Sequence, residues 1–201
     1  WGDLTEAQLQ MLKDEVQAEI DAAWEDADAA PRPEPGSYYR HLYSEEVDPT
    51  STAFDTEGTA GDQEAGKKTM LDLINATLKQ EMARDPRLLV FGEDVADASR
   101  EEILDEVKGK GGVFKTTHGL QKQFGAHRVF NTPLAEATIV GRGIGLAARG
   151  FKPVAEIQFF DYIWPAMQQL RGELANIRWR SNGSFKAPMV VRVPTEGYLM
   201  G

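Results

Sequence analysis

Cysteine is absent from the 201-residue sequence, which excludes disulfide cross-links and thiolate metal ligands and fits a chain kept in a reducing cytoplasm. Histidine is scarce. His41, His118 and His127 are the only three, no two stand at metal-ligand spacing, and a histidine metal site is not expected. No apolar run is long enough to read as a membrane-spanning helix, and the basic-then-apolar start of a secretory signal is missing too. Basic side chains are few in the first third. Residues 1–66 hold 17 acidic against 3 basic residues, net −14, whereas residues 67–201 hold 15 against 19, net +4. Two segments with different tasks are implied, and so acidic a first segment argues against nucleic acid as a partner.

What is present divides into three stretches, expected at residues 1–30, 31–66 and 67–201. Thr5-Glu6-Ala7-Gln8 reads as a capping box, with Leu4 and Leu9 placed as the staple around it. Leu9, Leu12, Val16, Ile20, Trp24 and Ala27 follow at steps of three and four, which predicts an amphipathic helix ending before Pro31. One apolar stripe on an acidic helix has to dock on its own domain or on a partner. From residue 31 the pattern disappears. PRPEPG opens a linker and TSTAFDTEGTAGDQEAG closes it, and the second half is expected to lack fixed structure. Tyr38, Tyr39, Leu42 and Tyr43 anchor one point of that linker to a surface.

Order resumes at Lys68. Met70, Leu71, Ile74, Leu78 and Met82 predict a helix to about Arg84, stopped by Asp85-Pro86. Leu88-Leu89-Val90-Phe91 is a continuous apolar run, as in a strand buried on both faces. SREEILDEVKGKGG has room for one or two helical turns before a glycine-rich loop. Val154 to Phe160 reads as a strand, Ile163 to about Arg180 as a long helix with Pro165 in its first turn, and Met189 to Val193 as the last strand. Buried-type strands separated by helices predict an α/β domain, a largely parallel sheet with helices on both faces.

The centre of the chain is Arg128 to Gly150, RVFNTPLAEATIVGRGIGLAARG. A short strand, Val129-Phe130-Asn131, meets a Thr132-Pro133 turn and then a helix that holds Glu136 in or just before its first turn. A carboxylate there feels the positive end of the helix dipole and stays ionised. Gly141, Gly143 and Gly145 each cost a helix interior roughly 1 kcal/mol relative to Ala, so another backbone or a ligand is expected to approach closely. Gly143-x-Gly145-x-x-Ala148 also fits the dinucleotide fingerprint formally, but that reading leaves almost no strand before the glycines. The structural alternative is a buried helix whose small face, Gly141 and Gly145, packs on a neighbour.

Taken together, FGEDV (91–95), GGVFKTTHGLQKQFG (111–125), the central stretch, EIQFFDYIWPAMQQLRGELANIRWRSNG (156–183) and MVVRVP (189–194) resemble one family. It is the β subunit of the thiamine-diphosphate-dependent first component of 2-oxo acid dehydrogenase complexes. The resemblance runs over about residues 68–201 and implies a transketolase-like pyrimidine-binding domain. The acidic helix resembles the C-terminal end of that component's α subunit, which implies a fused α–β chain with residues 31–66 as the tether. Glu136 matches the glutamate that hydrogen-bonds the cofactor's aminopyrimidine and favours the imino tautomer, whose nitrogen takes the thiazolium proton. Tyr162 matches a cofactor-contacting tyrosine of the branched-chain members, with Gln158 and Phe159 beside it as contacts or packing residues.

The family also implies partners. These are an α-type domain holding diphosphate and magnesium, a second β domain, a lipoyl acyltransferase and further copies of the chain. Some members bind potassium through backbone carbonyls, for which Ala187, Met189 and Val190 are the matching positions. The catalytic histidine is expected beyond Gly201, so these residues alone are not expected to catalyse. EIQFFDYI stands closer to the branched-chain pattern than to the pyruvate one, the alternatives being pyruvate or a non-catalytic docking module. The insert around residues 97–110 departs from the family by its length.

Overall fold

The computed structural model describes residues 4–48, 50–54, 66 and 68–195, and the chain falls into two units, residues 1–39 and 40–201. The expected disorder of the linker's second half concerns residues that lie mostly outside those described.

In the first unit α1, Glu6–Ala29, starts at the expected box: Gln8 N donates to Thr5 Oγ1 at 3.3 Å, and Thr5 N donates back to Gln8 Oε1 at 2.9 Å. Gln10 reaches Asp14 and Gln17 reaches Asp21 one turn on, which supports a helix whose own residues are nowhere buried. Its stripe of Leu12, Val16, Ile20 and Trp24 is exposed.

The second unit holds α2 (Met70–Arg84), β1 (Leu88–Gly92), α3 (Leu120–Phe124), β2 (Val129–Asn131), α4 (Glu136–Ala148) and β3 (Lys152–Glu156). A broken helical stretch and α5 (Ile177–Arg180) then lead to β4 (Val190–Arg192). All strand pairs are parallel and the order is β2-β1-β3-β4. The α/β expectation of a parallel sheet with helices on its faces holds.

β1 is central because every residue in it is buried. Alternation sends Leu88 and Val90 to one face, with Met82 of α2 and Leu120 of α3, and Leu89 and Phe91 to the other, with Ile139 of α4. Phe91 is fully buried and stacks on Phe130 of β2 at 5.2 Å, and that burial stabilises the fold by roughly 1.5–3 kcal/mol. Past α4 a third cluster joins Val140 and Ile144 to Ile157 and Ala166.

Helix ends are tied down by side chains. Thr69 and Asp72 form a capping box at the start of α2. Arg128 satisfies carbonyls where α2 ends and β1 begins, donating to Met82 O, Asp85 O and Leu88 O at 2.8–3.1 Å, with its guanidinium over the Phe124 ring.

Several expectations need correction. The long helix over 163–180 is a 3₁₀ stretch (Phe160–Ala166), a π-helical turn (Gln169–Leu174) and the short α5. Pro165 has no N–H to donate, and Asn176 Nδ2 takes the Arg171 carbonyl at 2.7 Å in place of a regular ladder bond. The strand expected over 154–160 is shifted to Lys152–Glu156. Helix α3 has no counterpart among the elements read from the sequence, because five residues between Gly119 and Gly125 are too few to show periodicity. Among the α4 glycines the close approach is at Gly143, where an added Cβ would run into the Met189 side chain. Gly141 faces Gln169, and Gly145 has open space around it.

Candidate active site

Parallel strands put all their carboxyl ends on one edge, and the strand order reverses at β1, which has β2 on one side and β3 on the other. The crevice outside such a reversal is where open α/β sheets bind ligands. Gly92, Asn131 and Glu156 end the three strands in register. Only glycine fits at position 92, because a Cβ would lie 2.5 Å from the Glu156 carbonyl. Thr132 N donates to Gly92 O at 2.7 Å, which holds the strand-to-helix turn against β1.

That turn delivers Glu136 as the first residue of α4. Ala135 precedes it in a non-helical conformation and offers no capping side chain, so the first amides of the helix have no side-chain cap. Glu136 is buried, 8 % exposed, and its carboxylate has no hydrogen bond or ion pair among the described residues. A second acid stands near it. Burial first, then the negative charge of Glu136 and that of Asp94, push the Glu93 carboxyl above its ordinary range. Glu136 is thus a largely buried residue at an uncapped helix start, near another acid, whose carboxylate oxygens keep contact with solvent and so are open to a hydrogen-bond donor.

Residues 66–197 match the family model described as "Transketolase, pyrimidine binding domain". The chain belongs to this transketolase pyrimidine-binding family. Similar proteins include the 2-oxoisovalerate dehydrogenase subunit beta of Bacillus subtilis (strain 168), 49% identical over 131 residues, 65% of this chain and 36% of that protein. A pyruvate dehydrogenase E1 component subunit beta of Staphylococcus epidermidis is 46% identical over 129 residues, covering 64% and 36%. The 3-methyl-2-oxobutanoate dehydrogenase subunit beta of Mycobacterium tuberculosis is 47% identical over 129 residues, covering 64% and 34%. The chain thus spans about a third of the length of these curated relatives.

Within this pyrimidine-binding domain, the residues singled out from the sequence lie past β2 and β3. Gln158 is buried and makes no hydrogen bond among the described residues, like Glu136. Phe159 meets the half-exposed Tyr162 edge-on at 5.5 Å. Phe159 also meets Phe114 edge-on at 5.7 Å, so the aromatic pair is a row of three. Phe114 was not foreseen. Its signal in the sequence is one aromatic set in a loop of Gly111, Gly112 and Gly119.

Ala187 and Met189 lie elsewhere, their side chains packed into the third cluster, and Val190 is 56 % exposed. Among the described residues no group of three or more His, Asp or Glu side chains is arranged to hold a metal ion, and no helix is long and apolar enough to cross a membrane.

Proposed function

We propose that this domain supplies the pyrimidine half of a thiamine diphosphate site in a 2-oxo acid dehydrogenase that decarboxylates its substrate and passes the acyl group to a lipoyl partner. The observation that carries this reading is Glu136, largely buried, its carboxylate reachable and without a hydrogen-bond partner among the described residues, on an uncapped helix start in a pyrimidine-binding domain. It fits an aminopyrimidine, whose ring nitrogen can share one proton with a carboxylate at hydrogen-bond distance. When bound, thiamine diphosphate supplies the electron sink that lets a 2-oxo acid lose carbon dioxide. Glu136 holds the proton at the ring nitrogen, and the negative charge that raises Glu93 is the same charge that favours this sharing. Gln158 offers an amide unused among the described residues, and Phe159 and Tyr162 offer ring edges to an aromatic ligand.

In this reading an α-type domain holds diphosphate and magnesium, a second β domain completes the subunit, and the chain works in more than one copy. The carbonyls of Ala187, Met189 and Val190 offer only oxygen donors, which suit a hard cation such as potassium. The substrate is a branched-chain 2-oxo acid of the 2-oxoisovalerate type. Turnover by the full-length protein on 2-oxoisovalerate and on pyruvate checks this, and a clear pyruvate preference overturns it.

Glu136→Gln in the full-length protein tests the site itself. Decarboxylation is expected to fall by at least about a hundredfold, the usual range for losing positioned acid–base help, with circular dichroism and assembly unchanged. Near-normal turnover by that variant sinks the role given to Glu136.

A further inference from the structure

We infer that Arg192 is a positioning residue, a clamp that fixes the aromatic row Phe114–Phe159–Tyr162 against the pyrimidine side of the site; this rests on the site reading above. Glu156 and Arg192 face each other in the β3–β4 register at the carboxyl edge. One guanidinium nitrogen of Arg192 donates to Glu156 Oε2, and the other donates to Thr116 Oγ1 at 2.8 Å. The guanidinium fork therefore joins β3, β4 and the glycine loop at a single point.

Both ends of the aromatic row hang from that point. Phe114 lies two residues before Thr116, and Phe159 three residues after Glu156. The backbone of β4 and of the residues just after it holds the second end as well. Ile157 N donates to Arg192 O at 3.0 Å, and Phe160 N donates to Pro194 O at 3.1 Å, one bond on each side of Gln158 and Phe159. The loop end is pinned from two more sides. Asn75 Nδ2 donates to Thr116 O at 2.7 Å, and Thr117 Oγ1 donates to Val95 O at 2.6 Å. Arg192 is the tie among these that links the loop to the strand carrying the other half of the row.

Stability alone is a poor account of this arrangement. Glu156 is 3 % exposed, and burial raises its carboxyl pKa even against the charge of Arg192. Burying an ion pair is commonly no better for stability than packing apolar side chains in the same space. What the planar fork adds is direction, two donors held at a fixed angle, which a lysine ammonium cannot reproduce.

Thr116→Val tests the clamp without stranding a charge, because the Glu156–Arg192 pair stays intact. In the cofactor-free full-length protein, amides of residues 111–118 are expected to exchange about tenfold faster, the factor for losing one charge-assisted hydrogen bond. The dissociation constant for thiamine diphosphate, read by quenching of intrinsic fluorescence, is expected to rise by a similar factor of about ten. Thr116→Ser, which keeps the hydroxyl, restores both, and Arg192→Lys behaves like Thr116→Val. Faster exchange with unchanged cofactor affinity overturns the positioning role and leaves the site reading standing. Unchanged exchange in Thr116→Val overturns the clamp itself. A fully active Glu136→Gln overturns the site reading instead, whatever the loop does.

Discussion

At the scale of single residues, two acids share one corner of the sheet edge. Glu93 follows β1 directly, and its proton affinity is raised by burial, by Glu136 and by Asp94. A raised carboxyl pKa means the folded state holds that proton more tightly than the unfolded chain does. Stability is therefore lost as pH rises from the ordinary carboxylate range through the raised pKa of Glu93, and regained on the way down. Glu93→Gln removes this titration. The variant is expected to unfold at higher urea than the parent at neutral pH, with the advantage shrinking to nothing in acid. A pH-independent difference between the two proteins would show that the charge of Glu93 is not under pressure from Glu136. Much of this corner could be read from residue order, since Glu136 stands at an evident strand-to-helix turn. Arg192, Thr116 and Glu156 could not, because they are far apart in sequence and meet only once the strands pair. Their trace was a charge inside each of two apolar runs, Glu156 after Val154-Ala155 and Arg192 within MVVRV.

At the scale of elements, the glycines separate into those that geometry requires and those it does not. Gly92→Ala pushes a methyl toward the Glu156 carbonyl, which belongs to a paired strand and cannot move aside. A loss of about 1–3 kcal/mol is expected, as for other overpacked cores. Gly145→Ala adds its methyl to open space on an exposed helical turn and is expected to gain about 1 kcal/mol. Equilibrium unfolding of both variants in urea checks the contrast. A Gly145→Ala chain no more stable than the parent argues that a second copy already packs on that turn. β1, β2 and α2 were legible because a continuous apolar run and a 3.6-residue period are local signals. The break in the helix after Phe160 was not, because the 3₁₀ and π stretches are each too short, 7 and 6 residues, for their different periods to show in the apolar spacing. β3 starts two residues earlier and ends four residues earlier than the apolar run, since its register is set by β1 and not by the run itself.

At the scale of the whole molecule, the described residues of the second unit include exposed apolar surface. A groove of about 790 Å³ runs over β3 and β4 on the α2 side, with Ile74, Leu78, Leu88, Val154 and Val190 in its walls. Leu134, just before α4, is 69 % exposed and Trp164, in the segment α4 packs against, is 69 % exposed as well. Bare apolar surface of this kind is a mark of association. In the proposed reading the site offers acids and aromatic edges for a pyrimidine, and among the described residues no group of three or more His, Asp or Glu side chains is arranged to hold a metal ion. A chain limited to these 201 residues is therefore expected to bind thiamine diphosphate weakly or not at all and to self-associate through the 136–149 helix region. Calorimetric titration with thiamine diphosphate and magnesium reads the first part, and sedimentation equilibrium across a range of concentrations reads the second. Leu134→Lys is expected to shift the sedimenting species toward monomer without changing the circular dichroism. Micromolar cofactor binding by a strict monomer would mean that one domain holds the whole site, and the two-domain reading would fall with it.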